Sequence, residues 1–189
     1  MQISSSLSPL NALSPLDGRY SRQCAPLRGW LSEAGFMAHR VEVEVAWLRA
    51  LSQAGLPELP AFSEQAQERL SALVSNFSET DAARIKEIEA VTNHDMKAVE
   101  YWLKEKISDV PELAKAAEFI HFDCTSEDIN NTSHALMLGR ARDQFLLPQL
   151  VNVSDALKAL AHQFADQPML SRTHGQAASP TTTSMPIST

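Results

Sequence analysis

The chain has 189 residues, 44% of them hydrophobic and 21% charged, with a formal net charge of -7 at pH 7. That is the composition of a folded chain long enough for one domain with a real core, or two small ones, and the acidic balance argues against nucleic acid as a partner, which would need a basic patch to release counterions. No apolar run reaches membrane-spanning length and no basic stretch followed by an apolar one opens the chain, so neither a transmembrane helix nor a secretory signal is expected.

The periodicity predicts helix nearly throughout, and so an all-α fold. Residues 1–26 are rich in Ser, Pro and Leu without steady periodicity and read as an irregular arm carrying Asp17-Gly18-Arg19-Tyr20. Over 32–54, Met37, Val41, Val45, Leu48 and Leu51 form a helical stripe, with Val43 and Trp47 adding apolar surface beside it, until Gly55-Leu56-Pro57 stops it. A shorter helix is expected over 63–77. Ser78-x-x-Asp81 has the form of a capping box opening a third helix over 81–89. Thr92-Asn93-His94-Asp95 is dense in capping residue types and precedes a helix with Met96, Val99, Leu103 and Ile107 on one face, ending near Pro111. A helical stretch over 112–122 leads to a second box, Thr125-x-x-Asp128, which opens the longest helical pattern in the chain, out to about Phe164. Pro148 lies inside that pattern and should kink it, because proline removes a backbone hydrogen bond and crowds the preceding turn. Residues 165–178 read as extended or looped, and Ser179-Pro180 as an N-cap with proline in the first helical position. Seven of the last eleven residues are Ser or Thr, and Pro186 would break the helix that Pro180 begins.

Three polar segments stand out. His94, Lys97 and Tyr101 share one helical face opposite the apolar stripe; spacing alone fits a capping segment followed by a solvated face equally well. Thr125 and Ser126 place two hydroxyls at a helix N-terminus, where free N–H groups suit a carboxylate or phosphate, although an ordinary N-cap has the same pattern. His174, between Thr173 and Gly175 in a non-periodic segment, is placed to donate a proton, as an exposed loop histidine is too. His121 and Cys124 have an H-x-x-C spacing without a second ligand pair, which does not make a metal site. His39, His134 and His162 fall in helical patterns and read as structural or surface residues. With only Cys24 and Cys124, far apart, no disulfide framework is expected, and a reducing cytoplasm is.

Taken in order, Asp17-Gly18-Arg19-Tyr20, Thr92-Asn93-His94-Asp95 with Lys97-Ala98-Val99-Glu100, Thr125-Ser126-Glu127-Asp128-Ile129-Asn130 and Thr173-His174-Gly175-Gln176 resemble the adenylosuccinate lyases, and most closely their bacterial branch. Fumarases, aspartases and argininosuccinate lyases share the general layout of this superfamily; the first two segments point to adenylosuccinate lyases among them. The resemblance covers nearly all of residues 13–182. It departs at Ala177, where many relatives have proline, and ends after Thr182, where the family continues with a Gly-Lys-Glu segment on a long helix.

The resemblance implies an enzyme that eliminates fumarate from adenylosuccinate, giving AMP, and from the succinylcarboxamide ribotide of the purine pathway, giving AICAR. It implies His174 as the general acid and His94 as a residue that binds and orients the substrate. Arg19, Tyr20, Asn93, Asp95, Thr125 and Ser126 resemble the rest of the substrate-binding set; Gln176 is a further candidate, and Lys97 is an extra cation on its facing alone. It implies no metal or organic cofactor, a homotetramer in intact members, and sites built from three subunits with a serine base on a later loop. The domains expected are an N-terminal helical domain over 1–122, the beginning of the central helical bundle over 123–182, and an unrelated tail over 183–189. The expectation is therefore a truncated lyase, inactive alone. The rival reading is a non-catalytic helical module that binds a nucleotide or a partner.

Overall fold

The computed structural model describes residue 8 and residues 10–182. These divide into two compact units, meeting between Ala141 and Arg142. In the first, the arm gives way to short helical pieces, α1 (Ser21–Cys24), a 3-10 turn (Ala25–Leu27) and α2 (Arg28–Leu31), earlier than its irregular composition predicts. The longer helices are α3 (Glu33–Gln53), α4 (Glu64–Ser75), α5 (Glu79–Thr92), α6 (Asp95–Ile107) and α8 (Ser126–Ala141), with the five-residue α7 (Pro111–Lys115) between the last two.

Their starts are those the sequence marks. Ser32 and Ser63 cap α3 and α4, each accepting from the N–H three residues on. Ser78 and Asp81 make the expected box at α5, which is longer than its pattern suggests. The stretch 112–122 is a correction. It is not one helix but α7, a 3-10 turn (Ala117–Phe119) and a loop in which His121 and Asp123 take positive φ. Two left-handed residues there cannot belong to a right-handed helix.

Val41, Val45 and Leu48 of α3 meet Leu70 of α4, Ile85 of α5 and Val99, Trp102 and Leu103 of α6 in one buried cluster. Phe77 meets the Trp102 ring edge-on at 5.5 Å. The start of α3 lies so close to α2 that a Cβ at Gly35 would sit 2.7 Å from the Trp30 carbonyl oxygen, which is why glycine stands there. His39 is buried and its Nδ1 lies 2.6 Å from the Gly35 carbonyl, in keeping with a structural role. Ile129 of α8 is buried too.

The second unit begins with a π-helical segment, Arg142–Leu146, followed by α9 (Leu147–Gln163). Pro148 is the second residue of α9, so the disturbance expected of it is absorbed as a widened turn just before it. No residue of α9 is buried. A two-stranded antiparallel hairpin follows, β1 (Pro168–Thr173) and β2 (Gln176–Thr182). This overturns the expected helix start at Ser179-Pro180: Pro180 pairs with Leu170 inside β2. A fixed φ near that of polyproline suits an extended strand as well as a first helical turn, and a strand of a two-stranded hairpin has a free edge where a missing N–H costs nothing. Pro186 and the Ser/Thr-rich end, residues 183–189, lie outside the described residues. Among the described residues, no helix is long and apolar enough to cross a membrane.

Candidate active site

Two helix starts carry most of the sequence-predicted residues. Asn93 ends α5 in the left-handed conformation at φ 53°, and its N–H donates to the Glu89 carbonyl at 2.8 Å. Asparagine tolerates that region. The chain then turns straight into α6, whose N-cap is His94, with Nδ1 accepting the Lys97 N–H at 3.2 Å. That bond leaves Nε2 to carry the proton of a neutral ring, and the ring is half exposed. As the periodicity predicts, His94, Lys97 and Tyr101 stay solvent-facing while Met96, Val99, Leu103 and Ile107 are buried. Lys97 is not a free cation: its Nζ lies 2.6 Å from the carboxylate of Glu100, a buried residue, and that contact raises its pKa.

Asp95 is held tightly. One carboxylate oxygen accepts the Met96 N–H at 2.9 Å, and the other accepts from Arg40 Nη2 at 2.6 Å. Partial desolvation pushes this carboxyl up, but the Arg40 guanidinium and the Met96 N–H outweigh it and hold it below the usual carboxylate range.

At the second start, the Thr125 N–H and hydroxyl both donate to Asp128 Oδ2, at 2.7 and 2.9 Å. Those two bonds, the backbone one first, lower the Asp128 pKa. The Thr125 hydroxyl proton is therefore committed, and Ser126, half-buried, is the first residue of α8. The turn before it is fixed from α3. Glu44, fully buried, accepts the His121 N–H at 3.1 Å and lies 2.6 Å from its Nδ1. Burial raises the Glu44 carboxyl, opposed by His121. The His121 ring is thus engaged with a carboxylate rather than paired with Cys124, whose thiol is pushed up mainly by burial.

One residue unites the two starts. Arg40 of α3 donates through Nη2 to Asp95 and through Nε to Asn130 Oδ1 at 2.9 Å, so both segments meet on a single guanidinium. The motifs missed Arg40 and Glu44. Their signal was two charges one helical turn apart on the side of α3 that also carries Met37, Val41 and Leu48, where apolar residues belong.

The remaining candidates lie on other elements. Arg19 and Tyr20 are exposed on the arm, with the guanidinium 5.6 Å from the ring centroid, and Gly18 is buried beside them. His174 and Gly175, at φ 52° and 79°, are the two tip residues of the hairpin, and Thr173 and Gln176 close it as its last cross-strand pair. Positive φ at both central residues is the turn whose twist matches the strands, so His174 is presented, exposed, at a tip rather than on a loose loop. Among the described residues, no group of three or more His, Cys, Asp or Glu side chains could hold a metal ion.

A family model described as "Lyase" matches residues 18–189. The chain is 59% identical over 177 residues to an adenylosuccinate lyase from Haemophilus influenzae, and 57% to those from Vibrio cholerae and Escherichia coli. Each alignment takes in 93% of this chain and 39% of the relative, so the chain spans about two-fifths of the length of these proteins. In fold, it resembles a fumarate lyase from Mesorhizobium (TM-score 0.68, 24% identity, 86% of this chain and 36% of that one). It also resembles a 3-carboxy-cis,cis-muconate lactonizing enzyme from Pseudomonas putida (TM-score 0.66, 25% identity, 86% and 35%).

Proposed function

The chain belongs to the lyase family, and we propose that it carries the substrate-holding and proton-donating part of an adenylosuccinate lyase. That enzyme eliminates fumarate from adenylosuccinate to give AMP and from the succinylcarboxamide ribotide to give AICAR. The observation that carries the reading is the meeting of two helix starts on Arg40. Helix N-termini favour anions, and both substrates bear carboxylates and a phosphate.

In the elimination, a base takes the proton from the carbon beside a carboxylate. The electrons left behind form the double bond of fumarate as the C–N bond breaks, and an acid protonates the departing nitrogen. His174 supplies that proton in this reading, and its exposed place at the hairpin tip supports a role of reaching toward a ligand. His94, with its Nδ1 anchored by the Lys97 N–H, turns its other ring nitrogen outward to orient the substrate. Asn93, Asp95, Thr125 and Ser126 complete the surface around it, Arg19 and Tyr20 hold the phosphate end, and Gln176 is an addition beside His174. Lys97 contributes less than its charge suggests, being neutralised by Glu100. The base lies outside this assignment, as does the homotetramer in which whole relatives would combine their segments; a cytoplasmic setting belongs to the same proposal. Residues 123–182 would begin the central bundle of that whole enzyme.

The test is calorimetric titration of the 189-residue chain with AMP and with adenylosuccinate, alongside a fumarate-release assay. Both ligands should bind, His94→Ala should weaken both, and turnover should fall at least about 10²–10⁴-fold below that of an intact enzyme for want of the base. Absence of binding at millimolar ligand would overturn the nucleotide reading. Turnover near that of an intact lyase would overturn the assignment of the base elsewhere.

A further inference from the structure

We propose that Arg40 is the positioning residue of this site: it sets the spacing between the two helix starts without itself touching the substrate. The inference rests on the nucleotide reading above and adds a residue that none of the motifs contains.

Three contacts fix the guanidinium. It donates to Asp95 at the start of α6 and to Asn130 in the first turns of α8, partners 55 and 90 residues away in sequence. Its third restraint is the Phe36 ring, whose centroid lies 3.9 Å from Cζ, and Phe36 in turn stacks on His134 of α8 at 4.4 Å. The Arg40 side chain is only 6% exposed, and its bonds to Asp95, itself about half exposed, and to Asn130 are partly shielded from water. A planar fork donating in two directions is what the geometry uses; a lysine could neutralise Asp95 but could not also reach Asn130 along a fixed second direction.

The fold does not depend on this clamp alone. Met96 and Val99 anchor α6, and Ile129 and Met137 anchor α8, all by burial. Farther along, Arg140 ties α8 to Glu42 of α3 through two bonds of 2.6 Å. Loss of Arg40 therefore leaves both helices packed but frees their first turns to drift. Those turns carry Asn93, His94, Thr125 and Ser126.

The experiment compares the 189-residue chain with Arg40→Lys, Arg40→Gln, Asn130→Ala and, as control, Glu42→Gln, which weakens the Arg140–Glu42 pair between α3 and α8. Amide hydrogen exchange is read over 95–97 and 128–132, and AMP affinity by calorimetry. Arg40→Gln should speed exchange in both segments and weaken AMP binding roughly tenfold to a hundredfold, as misplacement of binding groups does. Arg40→Lys should fall between it and the parent chain. Glu42→Gln should leave AMP affinity within about twofold, a partly exposed pair being worth little.

Equal exchange in the Arg40→Gln and Glu42→Gln chains overturns the proposal, as does unchanged AMP affinity in Arg40→Gln. If Arg40→Gln does not fold, Arg40→Lys and Asn130→Ala decide: AMP affinity and exchange like the parent's in both would overturn it. If the parent chain binds no AMP, the nucleotide reading fails, while the exchange comparison still decides whether Arg40 spaces the two helix starts.

Discussion

Replacing Glu44 with glutamine tests how the turn before α8 is held. One Glu44 oxygen accepts the backbone N–H of His121 at 3.1 Å, and the other lies 2.6 Å from Nδ1, which donates to it in the tautomer that carries its proton there. A glutamine has one acceptor oxygen, so with the proton on Nδ1 one of the two donors faces its NH2 group, and the alternative is a ring that shifts its proton to Nε2 and accepts from the amide. The loss of one charge-assisted bond amounts to about 1.5–3 kcal/mol, and a stranded buried donor costs about 1–3 kcal/mol more. Against this stands the relief of no longer burying a carboxylate, a gain of several kcal/mol in an apolar site but less here, where bonds to His121 already compensate the charge. The left-handed His121, at φ 62°, is held otherwise only through its carbonyl, which accepts the Cys124 N–H at 3.3 Å, and its backbone costs about 1–2 kcal/mol to hold. The net expectation is a destabilisation of about 2 kcal/mol, which at a urea m-value of about 2 kcal/mol/M moves the unfolding midpoint down by about 1 M. Trp47 gives a local readout, because its Nε1 donates to the Phe122 carbonyl at 2.8 Å, one residue beyond His121. Its fluorescence should change along an earlier urea transition in Glu44→Gln than in the parent chain. Coincident transitions would refute the claim that Glu44 holds the turn.

Acidification should weaken the first unit in a defined window. Asp95 has its carboxyl raised by desolvation and lowered more by Arg40, and Glu42 is lowered mainly by Arg140, so the folded state binds these protons less readily than the unfolded chain. Their contribution is present above the ordinary carboxylate range and is lost as pH falls below about 4, with Asp95→Asn showing a smaller acid loss in urea titrations at successive pH values. A second expectation concerns α9, which leaves Leu150, Val153, Leu157 and Leu160 exposed. Each apolar side chain left in water forgoes about 1.5–3 kcal/mol, so the 189-residue chain should self-associate in light scattering, and Leu150→Glu with Leu157→Glu should reverse it. A monodisperse monomer of the parent chain at high concentration would count against this.

That apolar surface lies partly elsewhere than the sequence suggests. Along the long helical pattern begun at Thr125, Ile129 is buried in the first unit and Leu136 half-buried, whereas Leu138 and Leu146 are exposed. Periodicity identifies an apolar face; it does not say which part of that face a neighbour covers.

The residues themselves determined the helices and where they begin. Ser32, Ser63, Ser78 and His94 cap α3 to α6 because capping depends on a side chain reaching a backbone three residues away, a distance sequence fixes. The candidate segments were legible for a related reason, since each is a short run of polar residues at a helix start or a turn. What sequence alone could not decide was set by non-local contacts. Pro180 fits a first helical turn and a strand alike, and only pairing with Leu170 chose the strand. His174 read as a loop histidine until its partner strand made it a turn residue. Arg40 and Glu44 belong to none of the motifs; their meaning came from Asp95, Asn130 and His121, 55 to 90 residues away, because a buried charge is tolerable only where the fold brings it a partner.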